Sequence, residues 1–316
     1  MLAPFPYAGE LCALLSSLFW ATSFLVFARL GKSVPAGALN LGKNTTATVC
    51  FGLLFLVLYG RPWPPAMDGT ALALFAASGF VGLTLCDTLL FASMIRAGPQ
   101  RTTLMMTVAV PLTQLAVLLP PWEEGAPGAL QVLGMLCCLG GVAVAVLEHH
   151  PDPVAKQQLR RGMALGLLAA LGQTAGVLLA RLGFYYAQCA PGGQEANGLV
   201  DAGHAAAVRL FVGSLGLVVL ALVLRQGRAW TGALRQPGVL PRLAGAAVVG
   251  TFLGIWMNQA GLTWAEHTGV ATTLNQLTPV WLIPLTTLVL GERHGLRSWL
   301  STLLAVAGVV LIGLGS

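Results

Sequence analysis

The chain has 316 residues and a formal net charge of +6, and it is 56% hydrophobic but only 9% charged. Soluble domains carry about 25% charged residues, so the seventeen Lys and Arg and eleven Asp and Glu could not cover a soluble core of this size. The composition excludes an ordinary soluble enzyme, a disordered chain and a nucleic-acid-binding domain.

Ten stretches are apolar over about 20 residues, the length that an α-helix needs to cross a bilayer. They run over 9–30, 36–60, 69–95, 99–120, 127–148, 161–186, 203–224, 239–263, 268–290 and 295–315. Residues 1–10 contain no Lys or Arg, so the first stretch lacks the basic flank of a cleavable signal peptide and is expected to remain as a span. The sequence predicts an all-α integral membrane fold with ten transmembrane helices.

The second half of the chain repeats the first. A shift of 168 residues brings identical residues into register over three helices without a gap. The coincident pairs include Val81 and Val249, Pro111 and Pro279, Glu124 and Glu292, and Gly140 and Gly308. We therefore expect two five-helix repeats, 1–150 and 161–316, joined by a cytoplasmic-side linker at 151–160. Because five is odd, the copies would be inverted across the bilayer, which is an arrangement typical of alternating-access transporters.

At this point the chain resembles the EamA-type transporters of the drug/metabolite transporter superfamily. The resemblance rests on the runs 111–124 and 279–293, on the glycine-rich closing helices 134–146 and 305–315, and on the early aromatic segment 18–23. It covers nearly the whole chain and implies a ten-helix transport protein. It does not specify the solute, because the family is similar to exporters of amino acids, vitamins, nucleotides and other metabolites.

The positive charges favour one orientation in the membrane. If side A holds both termini, thirteen of the seventeen Lys and Arg lie at side B. They are Arg29, Lys32, Arg96, Arg101, Lys156, Arg160, Arg161, Arg225, Arg228, Arg235, Arg242, Arg293 and Arg297. The positive-inside rule then places side B in the cytoplasm and both termini outside. The family resemblance implies the opposite, and we follow the charge count. The expected location is the plasma membrane, as a bacterial inner-membrane protein.

Asp87 is the one carboxylate that lies deep within a predicted span, about 13 Å from side B at 1.5 Å per residue. A charge at that depth costs several kcal/mol unless it is paired or hydrated. Lys43 enters from side B at a similar depth and is the expected partner. The two residues either form a structural ion pair, or Asp87 carries a coupling proton or binds a cationic group of the solute. The equivalent residue in the second repeat is Ile255, so the site would be asymmetric.

Lys43 and Arg209 occupy similar places at the starts of the second and seventh helices. The inverted repeat predicts that they lie near opposite faces of the membrane. There they would receive an anionic group at each gate, or their long side chains would extend to the lipid headgroups.

Two prolines suggest breaks in the fourth and ninth helices. Pro111 and Pro279 free backbone carbonyls one turn earlier, near Thr107 and Asn275. They either unwind the helix at a binding site or form plain kinks. We group both prolines with Asp87, Lys43 and Arg209 as candidate coupling or gating residues.

Hydrogen-bonding side chains recur near the middle of several spans. The candidate substrate-binding set is Trp20, Asn44, Asp87, Thr107, Gln173, Trp256, Asn258, Asn275 and Gln276. Such a set fits a hydrated cavity for a polar solute, although each member could instead form an interhelical hydrogen bond worth about 0.6 kcal/mol. We see no catalytic set and no Cys/His spacing for a metal, so no cofactor is expected.

These features predict a secondary transporter that exports a small polar or zwitterionic metabolite, such as an amino acid, by alternating access coupled to protons. The partners expected are the solute, the bilayer and, in a homodimer, a second copy; a monomer fits as well. The alternatives are a lipid flippase or an uncoupled facilitator on the same scaffold. A membrane-embedded lipid-modifying enzyme ranks below them.

Overall fold

The computed structural model describes residues 7–64, 67–116, 118, 126–146, 153–189, 198–264, 274–275, 277–291 and 294–315. Within these ranges the regular structure is helical, and no strand is present. The helices are α1 (Ala8–Leu30), α2 (Ala36–Tyr59), α3 (Gly69–Ala97), α4 (Pro99–Met106), α5 (Ala109–Ala116), α6 (Ala129–Val146), α7 (Pro153–Cys189), α8 (Gly198–Val223), α9 (Gly227–Leu234), α10 (Val239–Ala246, continued by Ala247–Leu253 and Gly254–Trp264), α11 (Thr278–Leu290) and α12 (Leu296–Leu314). The predicted all-α class is confirmed.

Seven helices in the described chain are long and apolar enough to cross a membrane, namely α1, α2, α3, α7, α8, α10 and α12. Two further apolar helices, Ala129–Ala145 and Thr278–Leu290, are shorter. The described part of the predicted fourth span, 99–120, contains α4 and α5, which are separated by a turn. The predicted linker overlaps α7, because residues 153–160 are already helical.

The outer surface is apolar, as a lipid environment requires. Val57 is 83% exposed, Leu288 is 82% exposed and Val223 is 71% exposed. Soluble monomers rarely expose contiguous apolar surface of this kind. In lipid the same side chains are well solvated, while the helices satisfy their own backbone groups.

α1 packs against α10 in the antiparallel direction. The Ser16 hydroxyl donates to the carbonyl of Gly254 (2.8 Å), and the Ser23 hydroxyl donates to the carbonyl of Ala246 (2.9 Å). Residue numbers therefore rise along α1 as they fall along α10. Small serine side chains allow this close approach and hold it by hydrogen bonds, a combination typical of membrane helices.

α3 packs against α7 in the same antiparallel manner. The Ser78 hydroxyl donates to the carbonyl of Gly176 (2.6 Å), and a side chain at Gly162 would collide with Ala97, its Cβ lying 2.8 Å from the alanine Cβ. The pairs α1–α10 and α3–α7 are equivalent in the predicted repeat, since each joins the first helix of one half to the third helix of the other.

α1 and α3 run in the same direction. Phe27 packs edge-on against Phe91 with ring centroids 5.2 Å apart, and Gly31, one turn later, faces Ile95. These contacts belong to an apolar core that also contains Leu39 of α2. Because α7 is antiparallel to α3, it also runs opposite to α1.

α3 and α10 each contain a π-helical segment at repeat-equivalent positions, Gly79–Cys86 and Ala247–Leu253. The 168-residue shift places Gly79 on Ala247. A π-helix widens the turn and disturbs the regular backbone ladder, so its carbonyls are open to other donors. The Leu83 carbonyl in α3 indeed accepts from the side-chain amide of Asn40 (2.8 Å).

Glycine contacts join α6 and α12, the closing helices of the two halves. A Cβ at Gly134 would lie 2.6 Å from the carbonyl oxygen of Gly308, and a Cβ at Gly141 would lie 2.5 Å from that of Ser301. Real side chains do not approach a backbone this closely, so the interface depends on glycine at these positions.

We predict that Gly141→Ala destabilises the protein. Overpacking at a tight contact costs about 1–3 kcal/mol, which exceeds the roughly 0.5–1 kcal/mol that alanine contributes over glycine in a helix. The matched control is Gly245→Ala, because Gly245 lies in α10 with nothing within 4 Å of its Cβ position. Thermal unfolding in detergent should show a lower midpoint for the first variant and an equal or higher one for the control. Equal midpoints for the two variants would contradict this packing.

Candidate functional site

An ion pair lies within the helix bundle at the end of the α3 π segment. Asp87 directly follows this segment, and its Oδ2 pairs with the Nζ of Lys43 from α2. Their side chains are only 11% and 10% exposed. The Lys43 ammonium also lies 5.7 Å from the ring centroid of Phe91, at a distance suited to a cation–π interaction. The predicted partner of Asp87 is therefore the observed one.

Arg209 of α8 approaches the same π segment. Its backbone packs on Gly79, where a Cβ would lie 2.7 Å from the Arg209 Cα, and its Nη2 would lie 3.6 Å from a Cβ at Gly82. The guanidinium interacts electrostatically with Asp87. Its Nε is buried and has no hydrogen-bond partner among the described residues.

The prediction that Lys43 and Arg209 lie near opposite faces of the membrane stays a prediction. Lys43 pairs with Asp87, whereas Arg209 lies beside Gly79 and Gly82, which come earlier on α3. α2 packs antiparallel on α8, with the hydroxyls of Thr48 and Ser214 3.5 Å apart, so Lys43 and Arg209 lie on opposite sides of this contact along the helix axes. The side chains of both cations nevertheless reach α3, from different helices.

Amide side chains of α2 line the π segment. Asn44 donates to the Leu83 carbonyl at 3.3 Å, and Asn40 donates both to this carbonyl and to the hydroxyl of Thr88 (3.0 Å). The side-chain oxygens of both asparagines are buried without a partner in the described structure. Asn44 thus joins α2 to α3 next to Lys43, and its contact with the solute stays a prediction. Asn40 was missed, because periodicity does not reveal which carbonyl a π segment frees.

The remaining predicted binding residues lie in several parts of the fold. Gln173 of α7 lies close to the Asp87 cluster, since its Oε1 is 3.8 Å from the thiol of Cys86. Trp20 belongs to the α1–α10 interface, where a Cβ at Gly254 would lie 2.7 Å from its Nε1. Trp256 and Asn258 also belong to α10. The Trp256 ring lies 5.6 Å from that of Phe252, which in turn lies 5.0 Å from the ring of Phe51 on α2, and Asn258 is half-buried. Gln276 lies outside the described residues.

The helix interruptions fall where the prolines predict them. α4 ends before Thr107, and α5 begins at Ala109, two residues before Pro111. In the second half Leu277 lies in a turn, and α11 begins at Thr278, directly before Pro279.

Buried polar groups lie beside these turns. The Thr107 hydroxyl donates back to the Leu104 carbonyl (2.7 Å) and is 3.4 Å from the thiol of Cys138. Asn275 is buried, and its side-chain oxygen has no partner in the described chain. The two breaks thus carry hydrogen-bonding side chains at repeat-equivalent places.

The site's chemistry is that of charge recognition. It combines one carboxylate with two cations beside an irregular backbone, and within the described ranges no three His, Cys, Asp or Glu side chains are grouped to hold a metal ion. Such a cluster can bind a charged group.

A model of the EamA-like transporter family matches residues 7–147 and again residues 162–314. No curated protein matches the chain. One solved crystal structure is similar with a TM-score of 0.59 at 13% identity, and the match covers 97% of this chain and 96% of that one. At this identity the similarity shows the fold alone.

We predict that Asp87→Asn destabilises the protein more than Lys43→Met. Removing one partner of a buried ion pair costs about 3–5 kcal/mol when it leaves a charge uncompensated. Without Asp87 both Lys43 and Arg209 lose their counter-charge, whereas without Lys43 the carboxylate keeps Arg209. Thermal unfolding in detergent should give the double variant Lys43→Met/Asp87→Asn a higher midpoint than Asp87→Asn alone. An Asp87→Asn midpoint at or above that of Lys43→Met would contradict this assignment.

Proposed function

Because this chain belongs to the EamA-like transporter family, we propose that it is a secondary transporter that exports a small polar or zwitterionic metabolite, such as an amino acid, by alternating access. The family establishes a multi-pass membrane transporter. The observation that carries the finer proposal is the buried cluster of Lys43, Asp87 and Arg209, because charges inside a membrane protein mark solute or ion pathways.

The two family matches support two copies of one unit, at 1–150 and 161–316, with 151–160 between them. The helix directions support their inversion, because α7, which begins the second copy, runs opposite to α1. With α4–α5, α6 and α11 counted as crossings beside the seven long helices, the chain crosses the membrane ten times. The proposed setting is a bacterial inner membrane, as a monomer or homodimer.

The proposed movement uses the paired irregularities of the fold. π segments interrupt α3 and α10 at equivalent positions, and turns interrupt the fourth and ninth spans. Regular helices resist bending, so the backbone would adjust at these four places as the halves rock against each other. The π segments and turns lie close to buried polar groups, so a solute or proton bound at those groups would affect the movement.

Asp87 is the proposed coupling residue. A proton that neutralises its carboxylate removes the partner of Lys43, so the two protonation states favour different arrangements of α2 and α3. Asp87 also interacts with Arg209, which belongs to the other half of the chain. Its charge can therefore influence how the halves meet.

A lipid flippase is the second candidate, and a groove beside α11 favours it. The groove has a volume of about 500 Å³ and is lined by Ile283, Pro284, Thr287, Leu288, His294 and Trp299. It combines apolar walls with one histidine, as a lipid tail and headgroup would need. Lipid transfer that does not depend on Asp87 would favour this alternative.

We predict that Asp87→Asn abolishes solute efflux driven by a pH gradient while solute counterflow persists. The assay uses proteoliposomes and a mixture of radiolabelled neutral amino acids. Counterflow needs only binding and movement, whereas gradient-driven flux also needs the titrating carboxylate. The double variant Lys43→Gln/Asp87→Asn tests the same loss without leaving a lone Lys43 charge. Gradient-driven flux at the unaltered rate in either variant would exclude Asp87 as the coupling residue.

We also propose that side B faces the cytoplasm, since Arg225 and Arg228 are exposed at that side, after α8. A fusion of alkaline phosphatase to the C-terminus should then be active in a bacterial host, and a fusion of green fluorescent protein should be dark. A matched pair of fusions after Arg228 should give the reverse. A fluorescent C-terminal fusion would place both termini in the cytoplasm instead.

A further inference from the structure

The Lys43–Asp87–Arg209 cluster contains two positive charges and one negative charge, so it carries one positive charge in excess. Asp87 supplies a single negative charge and forms an ion pair with Lys43. Arg209 adds a second cation, which interacts with Asp87 without being within ion-pair distance of a carboxylate in the described part of the chain. Within a membrane protein an unbalanced charge of this kind is unfavourable, because water cannot solvate it. An anionic group from outside the chain would remove that cost.

Arg209 also has a free donor for such a group. Its Nε is buried and makes no hydrogen bond to any described residue. A guanidinium presents its donors in a planar fork that matches the two oxygens of a carboxylate. The fork lies beside glycine backbone, because Nη2 is 3.6 Å from the Cβ position of Gly82. Gly82 packs closely on Gly176, where a Cβ would lie 3.2 Å from the Gly82 Cα, so backbone rather than a side chain borders the guanidinium on this side.

The pairing of Asp87 changes what the cluster can recognise. A free carboxylate would bind a cationic amine, but Asp87 already forms an ion pair with Lys43. The group left without a partner is a cation, so the cluster favours an anion. A carboxylate carries one negative charge, which equals the excess, whereas a phosphate monoester carries nearly two at neutral pH.

We propose that Arg209 binds a carboxylate group of the transported solute. The proposal rests on the transport function proposed above and names the chemical class of the solute for that site. It also gives the two halves different tasks. α2 and α3 of the first half hold the balanced Lys43–Asp87 pair, and α8 of the second half supplies the cation that contacts the solute.

Counterflow of the neutral amino-acid mixture in proteoliposomes tests this proposal by competition. The unlabelled competitors are each amino acid, its methyl ester, its primary amide and glycerol phosphate. For the unaltered protein the ester and amide should compete about tenfold to a hundredfold more weakly than the acid, since a hydrogen bond to a charged group is worth roughly 1.5–3 kcal/mol. Arg209→Gln should bring acid, ester and amide to the same level, and Arg209→Lys should keep part of the difference.

The control is Arg228→Gln, which removes an exposed arginine and should leave the preference for the acid unchanged. Thermal unfolding identifies any variant that fails to fold, and the competitor series on the unaltered protein does not depend on the variants. Equal competition by acid, ester and amide would overturn the carboxylate assignment while leaving transport intact. Stronger competition by glycerol phosphate would overturn it as well. No counterflow of any amino acid would overturn the choice of amino acids as the solute in the proposed function, and the inference with it.

Discussion

Inside a membrane protein a charge or a free backbone carbonyl needs a partner in the protein or in what the protein binds, and α3 is where this constraint acts most strongly. Its π segment opens the Leu83 carbonyl, which the amides of Asn40 and Asn44 satisfy. Directly after the segment Asp87 needs a cation, and Lys43 of α2 supplies it. The packing of α2 on α3 is thus fixed by polar groups rather than by the hydrophobic effect, which is weak between helices in lipid.

The fold is close to symmetric, but the charged site is not. Both halves share a π segment in their third helix and a proline-linked turn in their fourth. Ile255 stands where the repeat would place a second Asp87. The symmetric features allow two related conformations, while the asymmetric charges place the proposed binding and coupling in one location. Arg209 connects the two halves at the charged site, because it belongs to the second half and contacts the π segment of the first.

Much of this could be predicted from the sequence. Spans follow from the length of apolar runs, and the Lys43–Asp87 pair follows from depth, since a buried carboxylate needs a cation at its own level. The helix breaks follow from Pro111 and Pro279. The π segments could not be predicted, because a single wider turn leaves no mark in hydrophobic periodicity. The contact of Arg209 with the α3 π segment could not be predicted, because it depends on how α8 packs against α3 across the two halves, which the sequence of either helix does not contain.

The central claim is that the Lys43–Asp87 pair is balanced within the protein and Arg209 is balanced by the solute. The most direct test is a pair of cryo-electron-microscopy maps of the protein in lipid nanodiscs, recorded with and without the amino acid that shows the strongest counterflow. We expect the Lys43 ammonium on Asp87 in the solute-free map and solute density against the Arg209 guanidinium in the other. Solute density remote from α3 and α8, or Arg209 extended to the headgroups in both maps, would contradict the claim.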